Sequence, residues 1–261
     1  MEQDQLNNQQ ELQRSLSEIV VRGKQETKPT RILRPVCVSP ASPRHVDTNA
    51  ITFEFYDAFN YSLLSVDRKD VRMTLGVTSA NRGEGKTLVA SNLAVSLAVG
   101  HEKKTVIVDL NFQRPQIDRI FGTGAGPGLI EALKDGNVVV FPTQYEQLFV
   151  LPVGGIDQTM QTADGSRPRV KSARRLSIGM KYLPSFKDVL YSLEQEFECV
   201  IVDMPAVRER DVPILFAGQL DGLLVVIDTK RTQKADLERM FRVVNDRQVV
   251  GFVFNRVREE D

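Results

Sequence analysis

One short segment constrains the fold more than any other feature of the sequence. The segment Thr78–Thr87, Thr-Ser-Ala-Asn-Arg-Gly-Glu-Gly-Lys-Thr, directly follows an apolar run that begins at Met73. After it, apolar residues recur at helical spacing: Ala90, Leu93, Ala94, Leu97 and Ala98, with Gly100 at the end. A glycine-containing turn between a strand and a helix can wrap backbone N–H groups around phosphate oxygens. The sequence therefore predicts a phosphate-binding loop.

The chemistry of this loop assigns a role to individual residues. Gly83 and Gly85 allow the backbone to approach phosphate closely, Lys86 is predicted to reach the β- and γ-phosphates, and the Thr87 hydroxyl to ligate magnesium. The strict pattern has a glycine where this chain has Ala80, a mild departure. The predicted nucleotide contacts in and after the loop are Ala80, Asn81, Arg82, Gly83, Glu84, Gly85, Lys86, Thr87 and Leu88.

Two aspartates stand at the ends of short apolar strands. Asp109 ends the run from Thr105, and Asp203 ends the run from Cys199. Carboxylates at the carboxyl ends of parallel strands face the crevice where ligands bind, and they hold the magnesium that ATP chemistry requires. We predict three catalytic residues, Lys86, Asp109 and Asp203, and three metal ligands, Thr87, Asp109 and Asp203.

Asn255 ends the last predicted strand, Val249–Phe254. Its amide has a donor and an acceptor, which suits the edge of an adenine ring. Asparagine is also common in turns, so both interpretations remain open.

The remaining apolar runs alternate with helical stretches. Strands are predicted at Leu148–Pro152 and Leu223–Ile227, and helices at Pro184–Glu196 and Lys234–Val244. Short apolar strands that alternate with helices are typical of parallel sheets covered on both faces. We predict an α/β fold, a doubly wound and mostly parallel sheet flanked by helices, over residues 48–261.

Residues 1–47 differ in composition. Leu12, Leu16, Ile19 and Val20 have helical spacing, and the chain then carries Pro29, Pro35, Pro40 and Pro43. We interpret this region as a flexible tail whose short helix is either frayed or docks on a partner.

Charge and hydropathy exclude several classes of function. The 34 basic and 34 acidic residues balance, so no global field predicts nucleic-acid binding. No apolar block resembles a signal peptide, and no run approaches the ~20 residues that span a bilayer. Two cysteines, Cys37 and Cys199, are too few for a disulfide framework. We expect a cytoplasmic protein, peripheral at the inner face of the cell membrane.

Three segments resemble a known family, the bacterial tyrosine kinases (BY-kinases). Ser79–Thr87 resembles their Walker A loop, Val106–Pro115 their Walker A′ motif, and Val200–Pro205 their Walker B motif. The similarity covers roughly residues 50–257. It implies an ATP- and magnesium-dependent kinase-like ATPase that works with a membrane-anchored chain-length regulator in capsule or exopolysaccharide export, with a homo-oligomer possible.

The chain departs from the family pattern in three places. Asn111 and Gln113 replace a second aspartate and an arginine of the A′ motif. The family's Glu-x-x-Arg-x-x-Arg helix would fall at Asp57, Asn60 and Leu63, and the last tyrosine is Tyr191 rather than a terminal cluster. These departures favour nucleotide binding over tyrosine autophosphorylation. They leave open an alternative, an ATP-gated regulatory switch of the exporter.

A second alternative is the MinD/ParA class of positioning ATPases. Their signature lysine would fall at Asn81, which argues against this class, although Arg82 is one residue away. A further segment, residues 155–181, is rich in arginine and lysine. We interpret it as a solvated loop or as a contact for anionic lipid or an acidic partner.

Overall fold

A computed structural model describes residues 32–33, 72–124, 126–155, 179–209 and 214–256. All of these described residues belong to one compact unit. The predicted N-terminal helix, the positions Asp57, Asn60 and Leu63, and most of the basic segment 155–181 lie outside the described residues. The division into a tail and one domain therefore stays a prediction.

Seven strands form one mixed, mostly parallel sheet. The described residues contain nine strands in all. In chain order they are β1 Ile32–Leu33, β2 Met73–Ser79, β3 Thr105–Asp109, β4 Val138–Val139, β5 Phe141–Pro142, β6 Leu148–Leu151, β7 Cys199–Asp203, β8 Gly222–Asp228 and β9 Val249–Asn255. The order in the sheet is β5-β6-β3-β7-β2-β8-β9, and only β5 is antiparallel to its neighbour. The short β1, inside the predicted tail, pairs in parallel with β4.

Helices lie between the strands. They are α1 Lys86–Val95, α2 Ile117–Ile120, α3 Leu129–Asp135, α4 Leu183–Glu196 and α5 Lys234–Phe241. A π-helical turn, Ser96–Gly100, continues α1 to the predicted terminal glycine. Several ends differ from the prediction. β6 ends at Leu151, β8 is one residue longer at each end, and β9 continues to Asn255. α4 begins one residue earlier, and α5 stops at Phe241. No helix in the described part of the chain is long and apolar enough to cross a membrane.

Two apolar cores cover the two faces of the sheet. One core packs α1 against the sheet, with Leu93 and Leu97 fully buried; the other packs α4, with Phe186 and Leu193 fully buried. Every residue of β3 and β7 is buried, which explains why these strands read as continuous apolar runs rather than as alternating ones. The predicted α/β fold is confirmed.

The strand order brings three carboxyl ends together. β7 lies between β3 and β2, and Asp203 is in register with Asp109 on one side and with Val77 on the other. Two residues after Val77, β2 leads into the predicted phosphate loop. The topology therefore places both strand-end aspartates beside the loop.

Candidate phosphate and metal site

The loop that joins β2 to α1 depends on glycine at two positions. Gly83 and Gly85 have φ values of 80° and 100°, in the left-handed region that glycine tolerates best. Gly85 caps the N-terminus of α1, so the first free N–H groups of the helix begin at this residue. A Cβ atom on Gly85 would lie 2.2 Å from Nδ2 of Asn255. Backbone conformation and space therefore both require glycine there.

Glu84 holds the loop from inside. Its side chain is buried, and its carboxylate accepts hydrogen bonds from the backbone N–H of Asn81 at 2.9 Å and from Nδ2 of Asn81 at 3.2 Å. It also accepts one from the Thr232 hydroxyl, in the turn after β8, at 2.6 Å. Glu84 was predicted to contact nucleotide, but its carboxylate is engaged in hydrogen bonds that hold the shape of the loop.

The end of β9 supports the loop from the other side. Nδ2 of Asn255 donates to the carbonyl of Glu84 at 2.9 Å, and Oδ1 of Asn255 accepts from the backbone N–H of Arg256 at 2.9 Å. The Arg256 guanidinium donates to the carbonyl of Gly83 at 3.1 Å and pairs with the fully buried Asp228. In this arrangement both ends of the Asn255 amide contact protein.

Asp203 and Thr87 form the centre of the site. The Thr87 hydroxyl donates to Oδ2 of Asp203 at 2.7 Å. The other oxygen, Oδ1, is buried and has no hydrogen-bond partner among the described residues. Burial raises the pKa of Asp203 to about 7, against the hydrogen bond from Thr87 and the charge of Lys86, which lower it. An unpaired buried carboxylate oxygen is costly unless a cation or proton compensates it.

Asp109 lies beside Asp203 but is fully engaged by backbone. Its Oδ1 accepts from the N–H of Asn111 at 2.9 Å, and its Oδ2 from the N–H groups of Gln116 at 3.0 Å and Ile117 at 3.2 Å. Burial, followed by the neighbouring charge of Asp203, raises the pKa of Asp109 well above its usual range, and the three N–H groups oppose this shift. The carboxylate thus shapes the turn that leads into α2.

Lys86 is buried at the start of α1. Burial lowers the pKa of its ammonium group, while the negative charges of Asp203, Glu209 and Glu84 oppose the shift. Asp203 is the largest of these compensating charges. The loop lysine and the strand-end aspartate are therefore close enough to stabilise each other.

The segment after β7 contacts the first half of the loop. Arg208 donates to Oδ1 of Asn81 at 3.1 Å and lies 3.6 Å from Asp236 of α5, while Glu209 pairs with Arg82 at 3.3 Å. A cleft of about 720 Å³ opens beside these residues, under α5. The side chains of Asn81 and Arg82 therefore join the loop to the segment that follows Asp203.

The structure brings most of the predicted residues together and adds four. Asp203 lies next to three of the predicted residues, Lys86, Thr87 and Asp109. Leu88, in contrast, is exposed on α1. The sequence interpretation missed Asp228, Thr232, Arg256 and Glu209. One signal was available, because Asp228 also ends an apolar strand and meets the criterion that selected Asp109 and Asp203.

The donor set fits magnesium better than a metal held by protein alone. The described residues contain no group of three or more histidine, cysteine or acidic side chains that could hold a metal ion. Magnesium is commonly held by one or two carboxylates together with substrate phosphates and water. The unpaired Oδ1 of Asp203 and the adjacent Thr87 hydroxyl match that requirement next to the phosphate loop.

Comparison with known proteins agrees with these motifs. No known protein-family model matches the chain. The chain is 25% identical over 211 residues to the succinoglycan biosynthesis transport protein ExoP of Rhizobium meliloti, covering 77% of the chain but only 25% of ExoP. It is 22% identical over 215 residues to the tyrosine-protein kinase CpsD of Streptococcus agalactiae, covering 80% of the chain and 84% of CpsD.

A solved kinase domain has the same fold. The VpsO kinase domain superposes with a TM-score of 0.60 at 22% identity, covering 79% of this chain and 95% of that domain. The resemblance that the three motifs predicted is therefore confirmed: the chain has the fold of the P-loop ATPases and is related in sequence to the bacterial tyrosine kinases.

Proposed function

We propose that the chain binds ATP with magnesium at this site and acts as a tyrosine-kinase-like ATPase in capsule or exopolysaccharide biosynthesis and export. The observation that carries the proposal is the 2.7 Å contact between Thr87 and Asp203, beside a buried Asp203 oxygen without a partner among the described residues. These two side chains stand at the first residues of α1 and the end of β7, where a phosphate-bound cation would be held.

Each residue of the site contributes a separate part. The N–H groups from Gly83 to Thr87 and the ammonium group of Lys86 bind phosphate oxygens, and Thr87 with Asp203 holds magnesium. Bound there, magnesium would supply positive charge that neutralises the charge developing in phosphoryl transfer. Because both oxygens of Asp109 accept backbone N–H groups, we propose that Asp109 would influence the metal through its charge rather than as a direct ligand.

The cellular role rests on the relatives. ExoP is named for succinoglycan transport and CpsD as a tyrosine kinase. The chain spans a quarter of the length of ExoP, so ExoP has regions that this sequence does not match. We propose that a membrane-anchored chain-length regulator is the partner and that the protein works at the inner face of the membrane.

The alternative is an ATP-gated switch without efficient phosphoryl transfer. Asn111 favours it, because an amide carries no charge toward the metal and accepts no proton. In the structure Oδ1 of Asn111 accepts from the N–H of Arg114 at 3.3 Å, so its amide shapes the turn after β3. Transfer of labelled phosphate from ATP, to the chain or to its membrane partner, would support the kinase; nucleotide binding without transfer would support the switch.

The first test of the site is the magnesium dependence of ATP binding. We expect calorimetry to show that Asp203→Asn loses most of the magnesium-dependent part of the affinity, while the exposed control Asp135→Asn keeps it. Circular dichroism should show both variants folded. Equal magnesium dependence in Asp203→Asn and in the wild type would mean that the aspartate is purely structural.

The raised pKa of Asp203 predicts a pH effect of defined sign. Without metal, the folded protein binds the proton more tightly than the unfolded chain, so this group's contribution to stability is present at low pH and is lost as pH rises through about 7. Magnesium competes with that proton. We expect the magnesium affinity, measured by titration at constant ATP, to be roughly tenfold weaker at one pH unit below the pKa than well above it.

The control for this pH effect is Asp203→Asn, which keeps the nucleotide's own titration but removes the carboxylate. Its magnesium affinity should vary less with pH than that of the wild type. The same pH dependence in both proteins would assign the effect to ATP and contradict the role of Asp203.

A further prediction concerns Asn111. Asn111→Asp keeps the side-chain acceptor for Arg114 and adds negative charge near the magnesium position. We expect the magnesium-dependent rate of ATP hydrolysis or transfer to rise about 10-fold, about 1.4 kcal/mol of barrier, with little change in nucleotide affinity. Steady-state rates at matched magnesium measure this, and an unchanged or lower rate would show that the site is built around asparagine.

A further inference from the structure

The outer edge of β9 has the features of a strand-pairing surface. β9 is the last strand of the sheet and pairs with β8, and no strand among the described residues pairs with its other edge. Three large apolar side chains of β9 are exposed: Val250 by 46%, Phe252 by 44% and Phe254 by 60%. Natural proteins usually protect sheet edges with charges, proline or short strands. This edge instead presents two phenylalanines in seven residues.

The strand is regular where these phenylalanines lie. Gly251–Asn255 pair in unbroken register with Leu224–Asp228, and the one register shift falls at the start of β9, beside Val250. The second half of β9 is therefore regularly paired with β8, and the N–H and C=O groups of its outer edge have no strand partner among the described residues.

Two exposed arginines lie near the edge. The rings of Phe241 and Phe252 lie 6.2 Å apart, which places the end of α5 against β9. Arg242 and the half-exposed Val243 follow Phe241 directly, and Arg247 lies two residues before β9. Among the described residues, neither the Arg242 nor the Arg247 guanidinium has a carboxylate within ion-pair distance, and the adjacent Asp246 accepts only the backbone N–H of Arg247.

We propose that this edge binds an extended segment of a partner protein in which apolar and acidic residues alternate. Hydrogen bonds to the β9 backbone give affinity, Phe252 and Phe254 contact the apolar side chains, and the arginines select acidic residues. A second copy of the chain matches less well, because its own β9, Val249–Asn255, contains no acidic residue to meet the arginines. The bound strand would lie next to Asn255 and Arg256, which contact the phosphate loop.

Fluorescence anisotropy with the full chain tests the proposal. The probe is a fluorescein-labelled peptide of about nine alternating valine and glutamate residues, a length that matches one strand. The comparison peptides are a valine and lysine version and a version of the same composition in two blocks. We expect only the alternating acidic peptide to bind, and Phe254→Asp and Phe252→Asp to weaken its binding at least ~10-fold.

Tyr191→Asp is the matched control, because Tyr191 is 58% exposed on α4 and should not affect the peptide. Thermal melts show whether each variant is folded, and Phe254, the more exposed ring, gives the safer variant. The proposal fails if the lysine peptide binds equally, if both phenylalanine variants bind as the wild type does, or if no peptide binds. Concentration-dependent dimers in light scattering that Phe254→Asp abolishes would assign the edge to a second copy instead.

Discussion

Replacing Lys86 by alanine should weaken ATP binding at least ~10-fold, about 1.4 kcal/mol or more. The ammonium group is buried at the start of α1, and the negative charge of Asp203 opposes the effect of that burial on its pKa. Burying this charge is unfavourable, and the lowered pKa of the lysine reflects that cost. Phosphate oxygens in the loop would compensate that charge, so the affinity depends on it.

The control for Lys86→Ala is Lys234→Ala, at the start of α5, whose side chain is 91% exposed and pairs weakly with Glu238. Calorimetry should show that only Lys86→Ala loses affinity. Thermal melts of both variants without nucleotide report separately any loss of stability that comes from removing the cation that compensates the buried Asp203. Equal ATP affinity in both variants and in the wild type would refute a phosphate-binding role for the loop.

The parts of the fold that the sequence predicted are those with a strong local pattern. β3 and β7 were located with the observed ends because five consecutive residues of each are buried, which leaves no ambiguity of face. The sequence analysis did not predict the two-residue strands β4 and β5 or the short helices α2 and α3. These elements are too short to show a hydrophobic period. α5 was predicted too long because the apolar spacing continues past its end: Val244, four residues after the buried Met240, is also buried, although the helix ends at Phe241.

The sequence predicted which side chains lie at the candidate site, but not the hydrogen bonds that those side chains make. The strand-end rule placed Asp109 and Asp203 beside the loop, as the register of β3 and β7 shows. No sequence pattern reveals that both oxygens of Asp109 accept hydrogen bonds from backbone N–H groups of the turn after β3. Nor does any pattern reveal that one oxygen of Asp203 has no hydrogen-bond partner among the described residues. The two aspartates look alike in sequence and differ through backbone groups that only the folded chain brings near.

Asn255 shows the same limit. Its amide suited an adenine edge, but in the structure one end contacts the carbonyl of Glu84 and the other the N–H of Arg256. The sequence also gave no reason to connect Arg256 with Asp228, 28 positions apart, because the contact depends on β8 and β9 ending at the same level. Support of the loop from these strands is therefore a tertiary feature.

This support predicts the second large effect, on stability. Arg256→Met would leave the fully buried Asp228 without its cation and the carbonyl of Gly83 without a donor. Removing one partner of a buried ion pair costs about 3–5 kcal/mol, and we expect the lower end, about 3 kcal/mol, because Arg256 is itself 41% exposed. Urea denaturation followed by circular dichroism measures the free energy of unfolding.

Arg239→Met is the matched control, since that arginine is 58% exposed and makes an i,i+3 pair with Asp236, which should contribute under ~1 kcal/mol. Adding Asp228→Asn to Arg256→Met should recover part of the loss, because it removes the uncompensated charge. Arg256→Lys should retain most of the stability but bind ATP more weakly, since one ammonium group cannot readily replace the guanidinium's two separate contacts, with Asp228 and with Gly83. If Arg256→Met were as stable as Arg239→Met, the buried aspartate would have to be compensated by other groups, and the strands would not hold the loop through this pair.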